Sequence, residues 1–192
     1  MVKSLYDWTM GLAAHRNALW ALAIIAFIEA SFFPIPPDVL MIPLILAQPR
    51  KAFLIASIAL VGSILGGLFG YVIGAFFYET IGAPILEALG KTDSMLEFNT
   101  RFNDFGFWSV LVAGVTPFPF KVITILSGWT GMPLAIFIPT AIIARALRFF
   151  IVAALLWKFG PPIRTFIENR LGLVFTVFVA LLVGGFFLVR YL

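Results

Sequence analysis

Five ionisable side chains stand within long apolar stretches of this sequence, and they are the residues best placed to do chemistry: Glu29, Asp38, Lys121, Arg145 and Arg148. A charge at membrane depth is costly unless it faces a polar cavity or an opposite charge. Three positive groups against two negative groups leave one positive charge over, if all are ionised. A cavity with that balance would suit an anionic guest, of which a phosphate headgroup is the obvious example near lipid.

The same residues allow two other interpretations. Glu29 or Asp38 could carry protons, since burial disfavours the charged form of a carboxyl group. Alternatively, the acidic and basic groups only neutralise one another and lock the fold. Arg145 and Arg148 are spaced i,i+3, which predicts that they share one helix face.

Most other chemistries have no suitable residues. The chain contains no Cys, and its single His, His15, lies beside Arg16 near the start of the sequence. Membrane enzymes that act on lipid phosphates generally need clustered His residues or several carboxylates close in sequence. We therefore expect no catalytic residues, no metal and no cofactor, and we do not expect an enzyme.

The charges at 38 and 121 each follow a proline-rich stretch, at 33–38 and 116–121. Proline removes a backbone donor and prevents a regular helix from running through its neighbours. We predict two re-entrant hairpins, at 17–48 and 107–132, that meet near the middle of the bilayer. The residues predicted to break them are Pro34, Pro36, Pro37, Pro117 and Pro119.

Composition places the whole chain, 1–192, in a single integral-membrane domain. Hydrophobic residues make up 62% of the sequence and charged residues only 11%, which is typical of a protein surrounded by lipid. Full transmembrane helices are predicted at 52–78, 133–157 and 171–190. Arg16, Arg50 and Lys51 flank the first hairpin, so we expect an inner-membrane protein with a cytoplasmic N-terminus. The net charge of +4 need not imply nucleic acid.

Two further segments have a helical pattern. Small residues recur every fourth position in the first span, at Gly62, Gly66, Gly70 and Gly74. Such a face lets another helix or a hairpin approach closely. The acidic segment 79–106 is predicted to be an amphipathic linker on the outer surface, since its apolar residues recur at helical spacing from Met95 to Phe105.

The order hairpin, then long helix, occurs twice, and the two hairpins are predicted to enter from opposite faces. Inverted repeats with discontinuous helices and a midplane site are a recurring transporter architecture. The expected fold is therefore an all-α membrane protein with an inverted repeat, two re-entrant hairpins, about three full spans and one amphipathic interfacial helix.

The sequence also resembles a known family. Glu29, the proline-rich stretch, Asp38 and the pattern G-G-x-x-G-Y-x-x-G at 66–74 resemble the DedA family, also called the SNARE-associated Golgi or VTT domain family. R-x-x-R-F-F at 145–150 and F-G at 159–160 are similar to its YqaA-type bacterial subgroup. The resemblance runs from about residue 20 to 160. The family's Arg-x-x-Pro-x-x-Arg motif departs here, with Val115 and Lys121 at the arginine positions.

The resemblance implies two facing re-entrant hairpins, an embedded acidic pair at Glu29 and Asp38, and a role in lipid movement or proton-dependent transport. Our first hypothesis is a flippase or scramblase for phospholipids or a polyprenyl-phosphate carrier. In it, Lys121, Arg145 and Arg148 bind an anionic headgroup. The alternatives are a proton-coupled small-solute transporter and a non-transporting scaffold or assembly protein. Membrane lipids, and protons in the second case, are the expected partners, and an oligomer is compatible with all three.

Overall fold

A computed structural model describes residues 17–33, 36–90, 92–116 and 119–169. Throughout these ranges the regular structure is helical, with no strands. The predicted span 171–190 and two of the predicted breaking residues, Pro34 and Pro117, lie outside the described residues.

The first unit begins with two short helices, α1 (Ala18–Ser31) and α2 (Asp38–Ala47), and ends with a long helix. Pro37 is the N-cap residue of α2 and Asp38 is the first residue of the helix. At that position a carboxylate interacts favourably with the helix dipole. At 14 and 10 residues, the helices are about 21 and 15 Å long at the usual rise per residue. Both fall short of the roughly 30 Å hydrocarbon core of a bilayer.

A long apolar helix follows. A 3-10 turn (Pro49–Lys51) leads into α3 (Ala52–Phe77), which continues through a π-helical turn (Tyr78–Gly82) into α4 (Ala83–Ala88). The run Pro49–Ala88 is long and apolar enough to cross a membrane. The helix therefore extends into the segment 79–106, which the sequence predicts to be an amphipathic linker. It ends just before Gly90, whose φ is 64°. The amphipathic part of that segment is α5 (Thr92–Asp104).

The second unit consists of α6 (Gly106–Val115), a break, α7 (Phe120–Trp129) and the long α8 (Leu134–Asn169). The part of α8 up to Gly160 is the other helix that is long and apolar enough to cross a membrane. The sequence predicts a span that ends at 157 and then a loop. Instead the backbone kinks at Phe159, with φ −118° and ψ 17°, and helix resumes, since prolines such as Pro161 and Pro162 are tolerated in a first helical turn.

The glycine face of α3 is where both units meet. A Cβ atom at Gly62 would overlap the carbonyl oxygen of Ala23, and one at Gly66 would overlap that of Phe27. The first part of α3 therefore packs against α1, and the two helices run parallel. Farther along, a Cβ atom at Gly74 would overlap the carbonyl oxygen of Ile125 in α7. The other half of α3 thus packs against the second unit.

The two long helices run antiparallel. Phe53 near the start of α3 contacts Trp157 of α8, with ring centroids 5.9 Å apart, and Tyr71 contacts Phe137, at 5.4 Å. Two short helices also lie against α8, since its first part contacts α6 and the part near Gly160 lies against Leu46 of α2. Each long helix therefore carries one short helix from each unit.

Candidate functional site

The break between α1 and α2 lies close to the break between α6 and α7, in the interior of the protein. The hydroxyl of Thr124, in α7, donates a hydrogen bond to the carbonyl oxygen of Ala30, in α1, at 2.9 Å. The guanidinium of Arg148 donates from Nη1 to the carbonyl oxygen of Thr116, which ends α6, at 2.8 Å. Carbonyl groups at a helix end have no partner within that helix. Here side chains of the second unit bind both of these carbonyl groups.

Arg145 is the most enclosed charged residue among those that the structure describes. Its side chain is 0% exposed, and its Nη2 lies 2.6 Å from Oε2 of Glu29, whose side chain is 12% exposed. Its Nε donates to the hydroxyl oxygen of Ser63 at 2.7 Å. Its Cζ lies 4.8 Å from the ring centroid of Phe120 and 4.7 Å from that of Phe149. Charge-assisted hydrogen bonds and cation–π contacts together offset part of the loss of hydration, while Nη1 is buried and has no hydrogen-bond partner among the described residues.

Arg148 forms the second ion pair one helical turn farther on. Its Nη2 lies 2.6 Å from Oδ2 of Asp38, and each side chain is 16% exposed. Because Nη1 of the same guanidinium binds the carbonyl group of Thr116, Arg148 joins the start of α2 to the end of α6. This bridge connects the break of one unit to the break of the other.

Lys121 is placed differently from the two arginines. It is the second residue of α7 and is half-buried. In the part of the chain that the structure describes, its ammonium group forms neither an ion pair nor a side-chain hydrogen bond. The two ion pairs are each neutral, so Lys121 carries the one positive charge of the five sequence-predicted residues that is left over.

The structure brings four of the five sequence-predicted charges together in pairs, and it pairs Asp38 with Arg148 rather than with Lys121. Arg145 and Arg148, predicted to bind an anionic headgroup, both contact carboxylates of the first unit. Sequence reasoning missed Ser63, Phe120 and Phe149. A signal was present for all three, since Ser63 adjoins the glycine face and each phenylalanine directly adjoins a charged site residue.

Over the described residues, these features define a helical protein with two helices long and apolar enough to cross a membrane and with ion pairs at the breaks between its short helices. Residues 33–158 match the VTT domain, the domain of the DedA family, and the chain belongs to this family. Proteins with this domain are membrane proteins.

Two relatives are similar over most of their length. An uncharacterized protein of Haemophilus influenzae is 36% identical over 169 residues, which cover 86% of this chain and 88% of that protein. An uncharacterized protein of Histophilus somni is 39% identical over 169 residues, with the same coverage. No solved structure matches the chain.

Reversing the charges of Asp38 and Arg148 tests whether this ion pair stabilises the fold. Asp38→Arg or Arg148→Asp alone places like charges together, and we expect each to lower the free energy of unfolding by about 2 kcal/mol. The double variant restores opposite charges and should regain at least half of that loss. The measurement is the thermal midpoint of the purified protein in detergent.

The exposed pair Glu97–Arg101, with side chains 64% and 77% exposed, is the matched control. Reversal of either of its charges should change stability by less than about 1 kcal/mol, since exposed pairs contribute little. A structural role for Asp38 and Arg148 is contradicted if their single variants behave like those of the exposed pair.

Proposed function

We propose that this chain is a membrane lipid transporter that moves a phosphate-bearing lipid, a phospholipid or a polyprenyl phosphate, between leaflets. In this proposal α1–α2 and α6–α7 are re-entrant hairpins within the bilayer of a bacterial inner membrane. The length of the four helices supports it, since none of them has more than 14 residues. Helices of that length do not cross a hydrocarbon core.

The packing supports an inverted repeat. Helices α1, α2 and α3 correspond in order to α6, α7 and α8. In this correspondence, the contacts of α3 with α1 and α7 match the contacts of α8 with α6 and α2. All four contacts occur. The antiparallel course of α3 and α8 agrees with opposite orientations for the two halves. Transporters with such repeats hold their substrate where the discontinuous helices meet.

One observation carries the substrate assignment: the positive charge of Lys121 has no counter-charge among the described residues. It stands in the first turn of α7, where backbone N–H groups and the helix dipole also favour an anion. A phosphate headgroup at this point would supply the missing negative charge. The arginines, already bound to Glu29 and Asp38, would hold the two units in register around it.

Reconstituted protein should move a fluorescent phosphatidylglycerol across liposomes, measured by the loss of fluorescence when dithionite is added outside. Lys121→Gln should slow this movement about tenfold, the loss expected when one charge-assisted hydrogen bond is removed. Lys121→Arg should retain most of the rate. Lys158→Gln, at an exposed position of α8, is the control and should match the unchanged protein.

The same assay separates the alternatives. Lipid movement no faster than in empty liposomes contradicts the proposal. A proton-coupled carrier would instead transport a solute at a rate set by an imposed pH gradient, and Glu29→Gln would abolish that dependence. A scaffold protein would show neither activity, while the reversed pair at positions 38 and 148 would still support assembly.

A further inference from the structure

An apolar groove lies between α1 and α3, on the outside of the helix pair. Its volume is about 420 Å³, and it is lined by Leu19, Trp20, Ala23, Ser57, Ile58 and Val61. The hydroxyl of Ser57 donates a hydrogen bond to the carbonyl oxygen of Phe53 at 2.9 Å. The one hydroxyl of the lining is therefore satisfied within its own helix, and the groove offers an occupant mainly apolar contacts.

A basic pair stands in the turn that precedes α3, one of the two helices that line this groove. Arg50 and Lys51 are exposed in the 3-10 turn before α3, and neither forms an ion pair within the described ranges of the chain. They precede Ser57 and Ile58 by seven residues, so they lie about two turns, roughly 10 Å, before these groove residues along the chain direction of α3. Trp20, which lines the groove, is 73% exposed, and tryptophan favours the headgroup level of a bilayer.

We propose that this groove binds an acyl chain of an anionic phospholipid whose phosphate contacts Arg50 and Lys51. The site differs from the one around Lys121 and does not depend on the proposed lipid transport. Charge complementarity selects the occupant, since each basic residue near the membrane surface favours anionic lipid. The groove adjoins the contact between Ala23 and Gly62, so a bound lipid would brace α1 against α3.

Quenching of Trp20 fluorescence by brominated lipids tests the site. The vesicles contain either brominated phosphatidylglycerol or brominated phosphatidylcholine. The part of the quenching that is lost in a Trp20→Phe variant comes from Trp20 and therefore reports on the groove. Phosphatidylglycerol should quench at about tenfold lower mole fraction, since the two basic residues attract only the anionic lipid. Arg50→Gln with Lys51→Gln should abolish this preference, whereas Arg50→Lys with Lys51→Arg should preserve it.

A second comparison tests the groove itself. Val61→Phe fills it and should reduce the preference for phosphatidylglycerol at least threefold. Val72→Phe is the matched control and should have no effect, because Val61 and Val72 lie on the same helix and are both 59% exposed. Lys121→Gln should also leave the quenching unchanged, so failure of lipid transport and failure of this site are separate results.

Two outcomes overturn the proposal. Equal quenching of Trp20 by both lipids would mean ordinary contact with the surrounding bilayer. No quenching by either lipid would mean that protein covers the groove, either a part of this chain outside the described residues or a second copy.

Discussion

Arg145→Met is expected to lower the thermal midpoint of the protein strongly. The substitution leaves the carboxylate of Glu29 in the interior, 12% exposed and without its counter-charge. Removal of one partner of a buried ion pair typically costs about 3–5 kcal/mol, a large share of the roughly 5–15 kcal/mol that stabilises most proteins. The measurement is the thermal midpoint in detergent, followed by fluorescence-detected size-exclusion chromatography.

Three further variants attribute the loss to the charge. Glu29→Gln with Arg145→Met removes both charges and should recover most of the stability. Arg145→Lys should be intermediate, because an ammonium group cannot reproduce the forked geometry that binds Ser63 and Glu29 together or stack on two rings. Arg101→Met, at a side chain that is 77% exposed, should change the midpoint little. A midpoint for Arg145→Met equal to that of Arg101→Met would contradict the role assigned to the buried pair.

The neutral double variant also bears on function. If Glu29 only balances the charge of Arg145, folded protein that lacks both charges should still move lipid in liposomes. If Glu29 exchanges protons during transport, the same protein should be stable but inactive. Stability and activity together therefore separate the structural interpretation of this carboxylate from the proton-coupled one.

The charged residues of the site could be chosen from sequence, but their partners could not. Glu29, Asp38, Arg145 and Arg148 stand out because charges are costly in apolar segments. Asp38 and Lys121 occupy similar places after two proline stretches, which makes a contact between them the natural expectation. The actual partners depend on the antiparallel register of α3 and α8, which places Ser63 beside Arg145. That register comes from tertiary packing, and no local pattern encodes it.

Helix ends show the same division between local and tertiary information. Pro37 and Pro119 each precede a helix, as expected from residues that restrict their neighbours. The continuation of helix from α3 to Ala88 was not predicted, because the acidic composition after residue 78 suggested a loop. The sequence likewise predicts that this span ends at 157, whereas the structure has a kink at Phe159 and helix resumes where Pro161 and Pro162 can begin a new helical turn.

Gly66→Ala should destabilise the protein, whereas Gly67→Ala should not. A Cβ atom at Gly66 would overlap the carbonyl oxygen of Phe27 and lie 2.7 Å from its Cα, so the backbone of α1 would have to move. Overpacking of this kind costs about 1–3 kcal/mol. At Gly67 the nearest atom is Cγ2 of Thr124, at 3.4 Å, and alanine favours the helix over glycine by about 1 kcal/mol. The shift of the thermal midpoint in detergent should therefore be negative for Gly66→Ala and zero or positive for Gly67→Ala.

The position of Gly66 gives this comparison a second readout. Phe27 lies half a turn before Glu29 on α1, so displacement of α1 from α3 would also draw the carboxylate away from Arg145. We therefore expect Gly66→Ala to resemble Arg145→Met more closely than its small change in volume suggests. If the glycine contact and the ion pair act together, combining Gly66→Ala with Glu29→Gln and Arg145→Met should cost less than the sum of the separate losses. Strict additivity would show instead that the two contacts hold α1 independently.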